Sequence, residues 1–375
     1  MYATLNLLAH CRTGALGYNR ATCQDCKQSQ IFASSCGDRH CPQCLGPRQA
    51  DWAEQTCKRL PDCPHFHMVF SPPKEVWDVF EANYRILADL LFASAAETLQ
   101  QFQRNNWGCA TGSFFGVLHT WGSQLNWHPH LHVLIAAGAI VMRSGKWKDI
   151  RPGYAFPMKA MSRVFKAIFI RKLELLEANR TMRWPEELQT VEARRAWRVK
   201  LCGRSWNIFT KPALGNTRAV VRYLARYTSR IAISNRRILG VDEEKRTITF
   251  GYTDYRDGGR RKEQTLPGGE FIRRFARHLV PKGFRRVRQY GLLCGKKQRF
   301  KEFEGAPQQS IAEEAPGPKT VPCPHCQGHN WKYDVRHARP CAIRPRIALP
   351  EWTPKLGLPG REASFSLEGV RGSPW

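Results

Sequence analysis

Three imidazoles fall within five residues in the segment His128-Pro129-His130-Leu131-His132, just ahead of the apolar run Val133-Leu134-Ile135. Residues two apart on a β-strand share a face, so His130 and His132 project together while Leu131 and Val133 face the core. Two neutral imidazoles on one face can hold a divalent ion and leave positions open for phosphate oxygens. A pair of surface or core-satisfied histidines would carry the same H-x-H pattern. The density of histidines and the β run that follows favour the metal. A third ligand is required, and His119 on a neighbouring strand, Gln124 in the intervening turn and His128 itself are the candidates. His119 is slightly preferred.

Further along, Tyr223-Leu224-Ala225-Arg226-Tyr227 sets two phenols four residues apart. On the helix predicted over 219–227 they share one face. With an ordinary pKa of about 10, a phenol is a poor nucleophile at neutral pH. It becomes a useful one when a metal polarises a phosphate and nearby cations stabilise the developing charge. Arg222, Arg226 and Arg230 supply such cations on the same helix and are candidate DNA contacts. A Y-x-x-x-Y pair alone is usually aromatic packing. Beside a histidine strand, in a very basic chain, it points to strand cleavage through a phosphotyrosine link.

The charge supports a nucleic-acid partner. Lys and Arg total 59 against 31 acidic residues in 375, a formal net charge of +28. A polyanion is the natural partner, because each neutralised phosphate releases a condensed counterion. The basic segment Lys159 to Arg204 interleaves Phe165, Trp184 and Trp197, which suits phosphate contacts and base stacking along a single strand. No apolar run of about 18 residues could span a bilayer. No basic segment precedes the short apolar stretch at the start, so no secretion signal is read. A cytoplasmic protein with no membrane partner is expected. The P-loop pattern G-x-x-x-x-G-K-[ST] is absent, so strand separation would fall to a host helicase, replication or supercoiling.

Fourteen cysteines include three C-x-x-C pairs, Cys23/Cys26, Cys41/Cys44 and Cys323/Cys326. In a reducing compartment such pairs read as metal ligands. The first two pairs are 14 residues apart, the spacing of one four-cysteine structural zinc site. Cys323 and Cys326 read as half of a second zinc site, with His325, His329, His337 or Cys341 to complete it. Arg39, Arg48 and Trp52 are candidates for DNA contact near the first site.

The elements that must position these groups follow from hydrophobic periodicity. Strands are predicted over 67–71, 114–119, 130–136 and 207–210, with a hairpin over 139–147. Another hairpin joins 246–252 to 262–266 through Asp257-Gly258-Gly259. Helices are predicted over 75–102, as one or two, over 158–201 with a break at Trp184-Pro185, and over 270–278. The chain divides into a zinc-binding domain (1–62), a catalytic domain (63–300) with a helical insert (about 157–205), a linker (301–322), a zinc-ribbon-like segment (323–341) and a disordered tail (342–375).

On these residues the chain resembles a known family. His119-Thr-Trp-Gly, His128-Pro-His-Leu-His132-Val-Leu, Tyr223-Leu-Ala-Arg-Tyr227-Thr-Ser-Arg-Ile-Ala-Ile-Ser-Asn235 and Glu270-Phe-Ile-Arg-Arg-Phe-Ala-Arg-His278 are similar to the two-tyrosine HUH transposases of rolling-circle insertion sequences, over roughly residues 11–300. Ser35-Cys36-Gly-Asp-Arg-His40-Cys41-Pro-Gln-Cys44 resembles their N-terminal zinc-binding domain. Cys11 and Cys36 match cysteines there, as further ligands, alternative ligands or packing residues. Family members usually carry more residues ahead of Cys11.

The resemblance implies an α+β, Rep-like HUH endonuclease core: an antiparallel sheet flanked by helices, with the histidine strand central and a small zinc-binding domain in front. It implies Mg or Mn at the catalytic site, structural Zn, and single-stranded transposon ends and target DNA as partners. Tyr223 and Tyr227 would act in turn through 5′-phosphotyrosine intermediates, in a bacterial protein that is nucleoid-associated when bound to DNA. The alternatives are a rolling-circle replication initiator or relaxase, and a catalytically inactive zinc-dependent DNA-binding protein.

Overall fold

The computed structural model describes residues 2–44, 55–56, 60–141, 143–150, 156–179, 181–214, 232–294, 303–307 and 322–336. The tyrosine helix expected over 219–227, the greater part of the linker and the tail lie outside these residues. The strands in chain order are β1 (Tyr18–Cys23), β2 (Ser29–Ala33), β3 (His65–Ser71), β4 (Cys109–Trp121), β5 (Trp127–Val141), β6 (Trp147–Asp149), β7 (Asn207–Leu214), β8 (Ile238–Asp242), β9 (Thr247–Asp254), β10 (Arg260–Pro267), β11 (Val287–Tyr290) and β12 (Trp331–Arg336).

A six-stranded antiparallel sheet dominates, in the order β11-β4-β5-β3-β7, with β6 pairing β5. The histidine strand β5 is therefore central, as expected. Alternation divides its residues between two faces. On one face Phe66, Met68, Phe70, Phe114, Leu118, Leu131, Val133 and Ile135 enter the main core. The helices Tyr84–Phe102 and Met158–Ala178 cover them. A Cβ on Gly116 would stand 3.0 Å from the Phe92 ring, and Phe165 meets Phe70 edge-on at 5.1 Å. Leu87, Leu91, Ala95 and Leu99 recur on one side of the first helix and are fully buried or nearly so.

The helical stretch after β3 is two helices, Trp77–Ala82 and Tyr84–Phe102. Asn83 makes the break: it leaves helical geometry, and its side-chain amide donates to Val79 O (2.9 Å) and Arg183 O (2.6 Å) while accepting from Arg183 N (2.7 Å). The basic segment is likewise split, into Met158–Ala178 and Val191–Gly203, with Thr190 capping the second by accepting from Ala193 N at 3.1 Å.

One expectation is corrected here. Phe165 and Trp197 are buried, so they are not offered to nucleic-acid bases. Phe165 packs with Trp206 and Phe70, while Trp197 meets Trp184 edge-on and donates to Glu75 O at 2.9 Å. Burying an aromatic ring takes a large apolar surface out of water, which stabilises the fold. The first insert helix is thus part of the core, with its Lys and Arg residues on the outer side.

Two smaller sheets complete the described chain. β8, β9 and β10 form an antiparallel sheet in the order β10-β9-β8, and the turn joining β9 to β10 has Gly258 and Gly259 at φ +58° and +79°, as the Asp-Gly-Gly signal implies. The other has the order β12-β1-β2. β12 pairs with β1 along its full length, Cys23 opposite Trp331. Residues 322–336 are therefore built onto the N-terminal module and do not stand as a module of their own. Among the described residues, no helix is long and apolar enough to cross a membrane.

Candidate functional site

The antiparallel register places His119 directly opposite His130, and Val117 opposite His132. Opposed residues share a face, so His119, His130 and His132 converge on the side of the sheet away from the helices. Each offers one ring nitrogen, and these three atoms lie within 4.8 Å of one another. His130 Nε2 and His132 Nε2 are 3.1 Å apart. Two nitrogens held about 2.1 Å from one ion at a right angle would be about 3.0 Å apart, so the spacing fits a shared ion.

Hydrogen bonds around the rings decide which nitrogens face inward. His130 Nδ1 lies 2.7 Å from His128 O and must carry the proton that it donates there, which leaves the Nε2 lone pair for a metal. His132 Nδ1 lies 2.9 Å from His67 Nε2 on the neighbouring strand β3. Burial pushes His130 down to about 3, with the His128 and His67 rings adding to the effect, and holds His132 well below the usual range. Neutral imidazoles are what metal coordination requires.

Of the two histidine candidates for third ligand, His119 joins the pair and His128 does not. His128 packs its ring against Trp77 at 5.2 Å. Gln124 sits in the β4–β5 turn, where its backbone oxygen accepts from Arg274 at 3.2 Å. His67 was legible in sequence only as a strand residue. Its role follows from register: Val69 opposes His132, so His67, two residues away, stands on the histidine face. On the edge strand β7, Phe209 opposes Val69 and Lys211 opposes His67, so both share that face, and Phe209 is 55% exposed. Tyr223, Tyr227, Arg222, Arg226 and Arg230 lie outside the described residues.

A second group of residues fixes the turn between the histidine strands. His278, at the end of the helix Gly268–Arg277, bonds Leu125 O through Nε2 (3.2 Å) and Thr120 Oγ1 through Nδ1 (3.2 Å). Its ring stacks on Trp127, with centroids 5.9 Å apart and planes 5° apart. Leu125 holds the turn at φ +59°, an unusual conformation for a non-glycine residue.

Burial lowers His278, and also His65 on β3, to about 4, below an unfolded value near 6.5. The unfolded chain therefore takes up protons first. The stability these rings contribute is complete above pH 6.5 and is lost as pH falls from there towards 4. The urea midpoint should be lower at pH 5 than at pH 7, and His278→Gln should narrow the difference. Equal midpoints for the unaltered protein would contradict this account.

The cysteines do not group as their spacing suggested. Cys11, Cys36, Cys41 and Cys44 form one cluster, and Cys23, Cys26, Cys323 and Cys326 form another. In the first, Sγ–Sγ distances are 3.5 Å for Cys11–Cys44 and Cys11–Cys41, and 3.6 Å for Cys36–Cys44. Tetrahedral zinc with Zn–S of about 2.3 Å sets sulfurs about 3.8 Å apart, so four thiolates here fit one ion. The 14-residue spacing failed because Cys23 and Cys26 sit at the end of β1 and in the turn to β2, where β1 pairs with β12.

Arg39 is also corrected: its guanidinium donates to the backbone oxygens of Phe284 (2.9 Å), Val280 (3.2 Å) and Pro281 (2.7 Å). His40 accepts from Val280 N at 3.0 Å, with Asp38 bonding its other nitrogen at 2.7 Å. The first cysteine cluster thereby grips the loop that follows His278, and through it the turn of the histidine strands. Arg48 and Trp52 lie outside the described residues.

A family profile described as "Putative transposase" matches residues 113–300, and one described as "Transposase zinc-binding domain" matches residues 2–72. "Putative transposase y4qJ" of Sinorhizobium fredii is 37% identical over 288 residues, covering 76% of this chain and 72% of that protein. The "Transposase for insertion sequence element IS801" of Pseudomonas savastanoi pv. phaseolicola is 31% identical over 298 residues, covering 78% of this chain and 70% of that protein. Among solved structures, the conjugative relaxase TrwC in complex with oriT DNA, in a metal-free form, is similar at 14% identity with a TM-score of 0.23, over 43% of this chain and 70% of that one.

Proposed function

We propose that this chain, which belongs to the two-tyrosine HUH transposases of rolling-circle insertion sequences, nicks and rejoins single-stranded DNA at the His119–His130–His132 centre, with Tyr223 and Tyr227 as its nucleophiles. The observation that carries this reading is the convergence of three imidazoles on one face of the central sheet. Held by these three nitrogens, a manganese or magnesium ion would withdraw charge from the scissile phosphate. The chain's own residues do the rest. The phenol oxygen of one tyrosine attacks phosphorus, the bond to the 3′ oxygen breaks, and the proton ends on the released 3′-hydroxyl. The 5′-phosphotyrosine keeps the ester bond, so a 3′-hydroxyl can later reverse the step and join a new strand. The net charge of +28 favours DNA as the partner.

Incubating the chain with labelled single-stranded transposon-end DNA and manganese, then running a denaturing gel, tests the reading. A shifted covalent band supports it. A free nick with no adduct at any time would overturn it. An insertion assay separates transposition from plasmid-type initiation, since only the former joins the freed end to a new target.

Two further expectations arise from the neighbouring residues. His67 orients His132 through the 2.9 Å bond to its Nδ1, so that Nε2 is presented to the ion. Partners of this kind are worth roughly 10–100-fold in metal affinity. His67→Ala should weaken manganese binding by that factor in isothermal titration, and His67→Gln, which retains a polar group near the ring, should recover part of it. Unchanged affinity in both would remove His67 from the centre. Phe209 and Lys211 form an exposed ring and cation on the histidine face. Stacking a base on such a ring contributes about 1–3 kcal/mol. Phe209→Ala should therefore weaken single-strand binding roughly tenfold in fluorescence anisotropy, and binding equal to the unaltered protein would exclude the platform.

A further inference from the structure

We infer that Cys23, Cys26, Cys323 and Cys326 bind a second structural zinc, which clasps the C-terminal strand β12 to the N-terminal module. The matched zinc-binding profile ends at residue 72 and so contains only half of these ligands. Three independent features support the site. The first is distance. Cys23 Sγ is 3.6 Å from Cys326 Sγ, and Cys26 Sγ is 3.7 Å from Cys323 Sγ, across separations of 303 and 297 residues. A tetrahedral Zn–S₄ unit needs about 3.8 Å, whereas disulfides would need about 2.05 Å.

The second is backbone geometry, which repeats between the two halves. Cys23 N donates to Gln28 O (2.9 Å) and Lys27 N to Cys23 O (3.0 Å), with Lys27 at φ +62°. Cys323 N donates to Gly328 O (2.8 Å) and Gln327 N to Cys323 O (2.8 Å), with Gln327 at φ +61°. Each C-x-x-C turn thus folds back five residues later with the residue after its second cysteine left-handed. Neither lysine nor glutamine favours that conformation on its own, so both turns are shaped to present two thiols together.

The third is the fit between the halves. Gly328 faces Asp25 so closely that a Cβ would lie 2.1 Å from Asp25 Oδ2. Gln24 N bonds Asn330 O at 2.8 Å, and the β1–β12 ladder continues the contact. Four thiols at tetrahedral spacing leave no open position, so the ion organises the fold and takes no part in chemistry. Closing a loop of about 300 residues is entropically costly, and ion binding of this kind is itself folding free energy.

Metal counting on the full chain tests the inference independently of strand cleavage, so its failure leaves the proposed nuclease centre untouched. Native mass spectrometry combined with elemental analysis should show one zinc fewer in Cys323→Ser/Cys326→Ser than in the unaltered protein. Cys23→Ser/Cys26→Ser should lose the same single ion. Equal counts would overturn the inference, as would peptides linking these cysteines by disulfides in the unaltered protein. Where the variants fail to fold, alkylation of the unaltered protein decides. All four thiols, including exposed Cys326, should resist iodoacetamide until a chelator is added and then become reactive together. Immediate alkylation of Cys323 and Cys326 without chelator would overturn the site.

Discussion

Replacing His132 with alanine should lower strand cleavage by roughly 10³-fold, about 4 kcal/mol of transition-state stabilisation. His132 occupies the middle of the centre. Its Nε2 faces His130 Nε2 at 3.1 Å, its Nδ1 is tied to His67 at 2.9 Å, and its ring lies 4.4 Å from that of His119. Without it, two donors on adjacent strands remain, too few to hold an ion tightly against water. Single-turnover cleavage with a manganese titration is the measurement. Metal affinity and rate should fall together, while the thermal midpoint of the metal-free protein changes little, because His132 stands on the face away from the main core. Cleavage within about threefold of the unaltered protein would remove the imidazole centre from the chemistry.

The tyrosines should behave as a pair with divided labour. Tyr223→Phe together with Tyr227→Phe should abolish the covalent adduct, because no other group in the proposal forms the ester. Each single variant should retain one attack and lose the other, so that nicking persists while joining to a second strand fails. The phenol-to-phenyl change removes only the hydroxyl, so folding should be preserved, which circular dichroism can check. Full strand transfer by either single variant would show that one tyrosine suffices and would contradict a two-nucleophile cycle.

Most of the histidine face could be read from the sequence because β-strand parity is a local rule. His130 and His132 had to share a face once Leu131 and Val133 were assigned to the core. The third ligand was harder. The choice among His119, Gln124 and His128 depends on the register between β4 and β5, which the turn at Gly122–Asn126 sets. Gly122 N bonds Asn126 O at 2.9 Å there, and Leu125 takes a left-handed conformation that its side chain does not advertise.

His67 was illegible for the same reason, since its contact crosses from β3 to β5. The cysteines show the limit most clearly. Spacing in sequence joined Cys23/Cys26 to Cys41/Cys44, whereas strand pairing across some 300 residues joins them to Cys323/Cys326. Arg39 and Phe165 show a second limit. Residue type alone made them candidates for DNA, but one satisfies three backbone oxygens and the other fills the core.

The proposed chemistry is tested most directly by locating the covalent bond itself. Labelled single-stranded DNA is incubated with the full chain and manganese, the adduct is digested, and the nucleotide-bearing peptide is sequenced by mass spectrometry. A 5′-phosphate ester on Tyr223 or Tyr227, formed only with divalent metal and lost in His130→Ala, is expected. An ester on any other residue, or an adduct that persists after both tyrosines are replaced by phenylalanine, would contradict it.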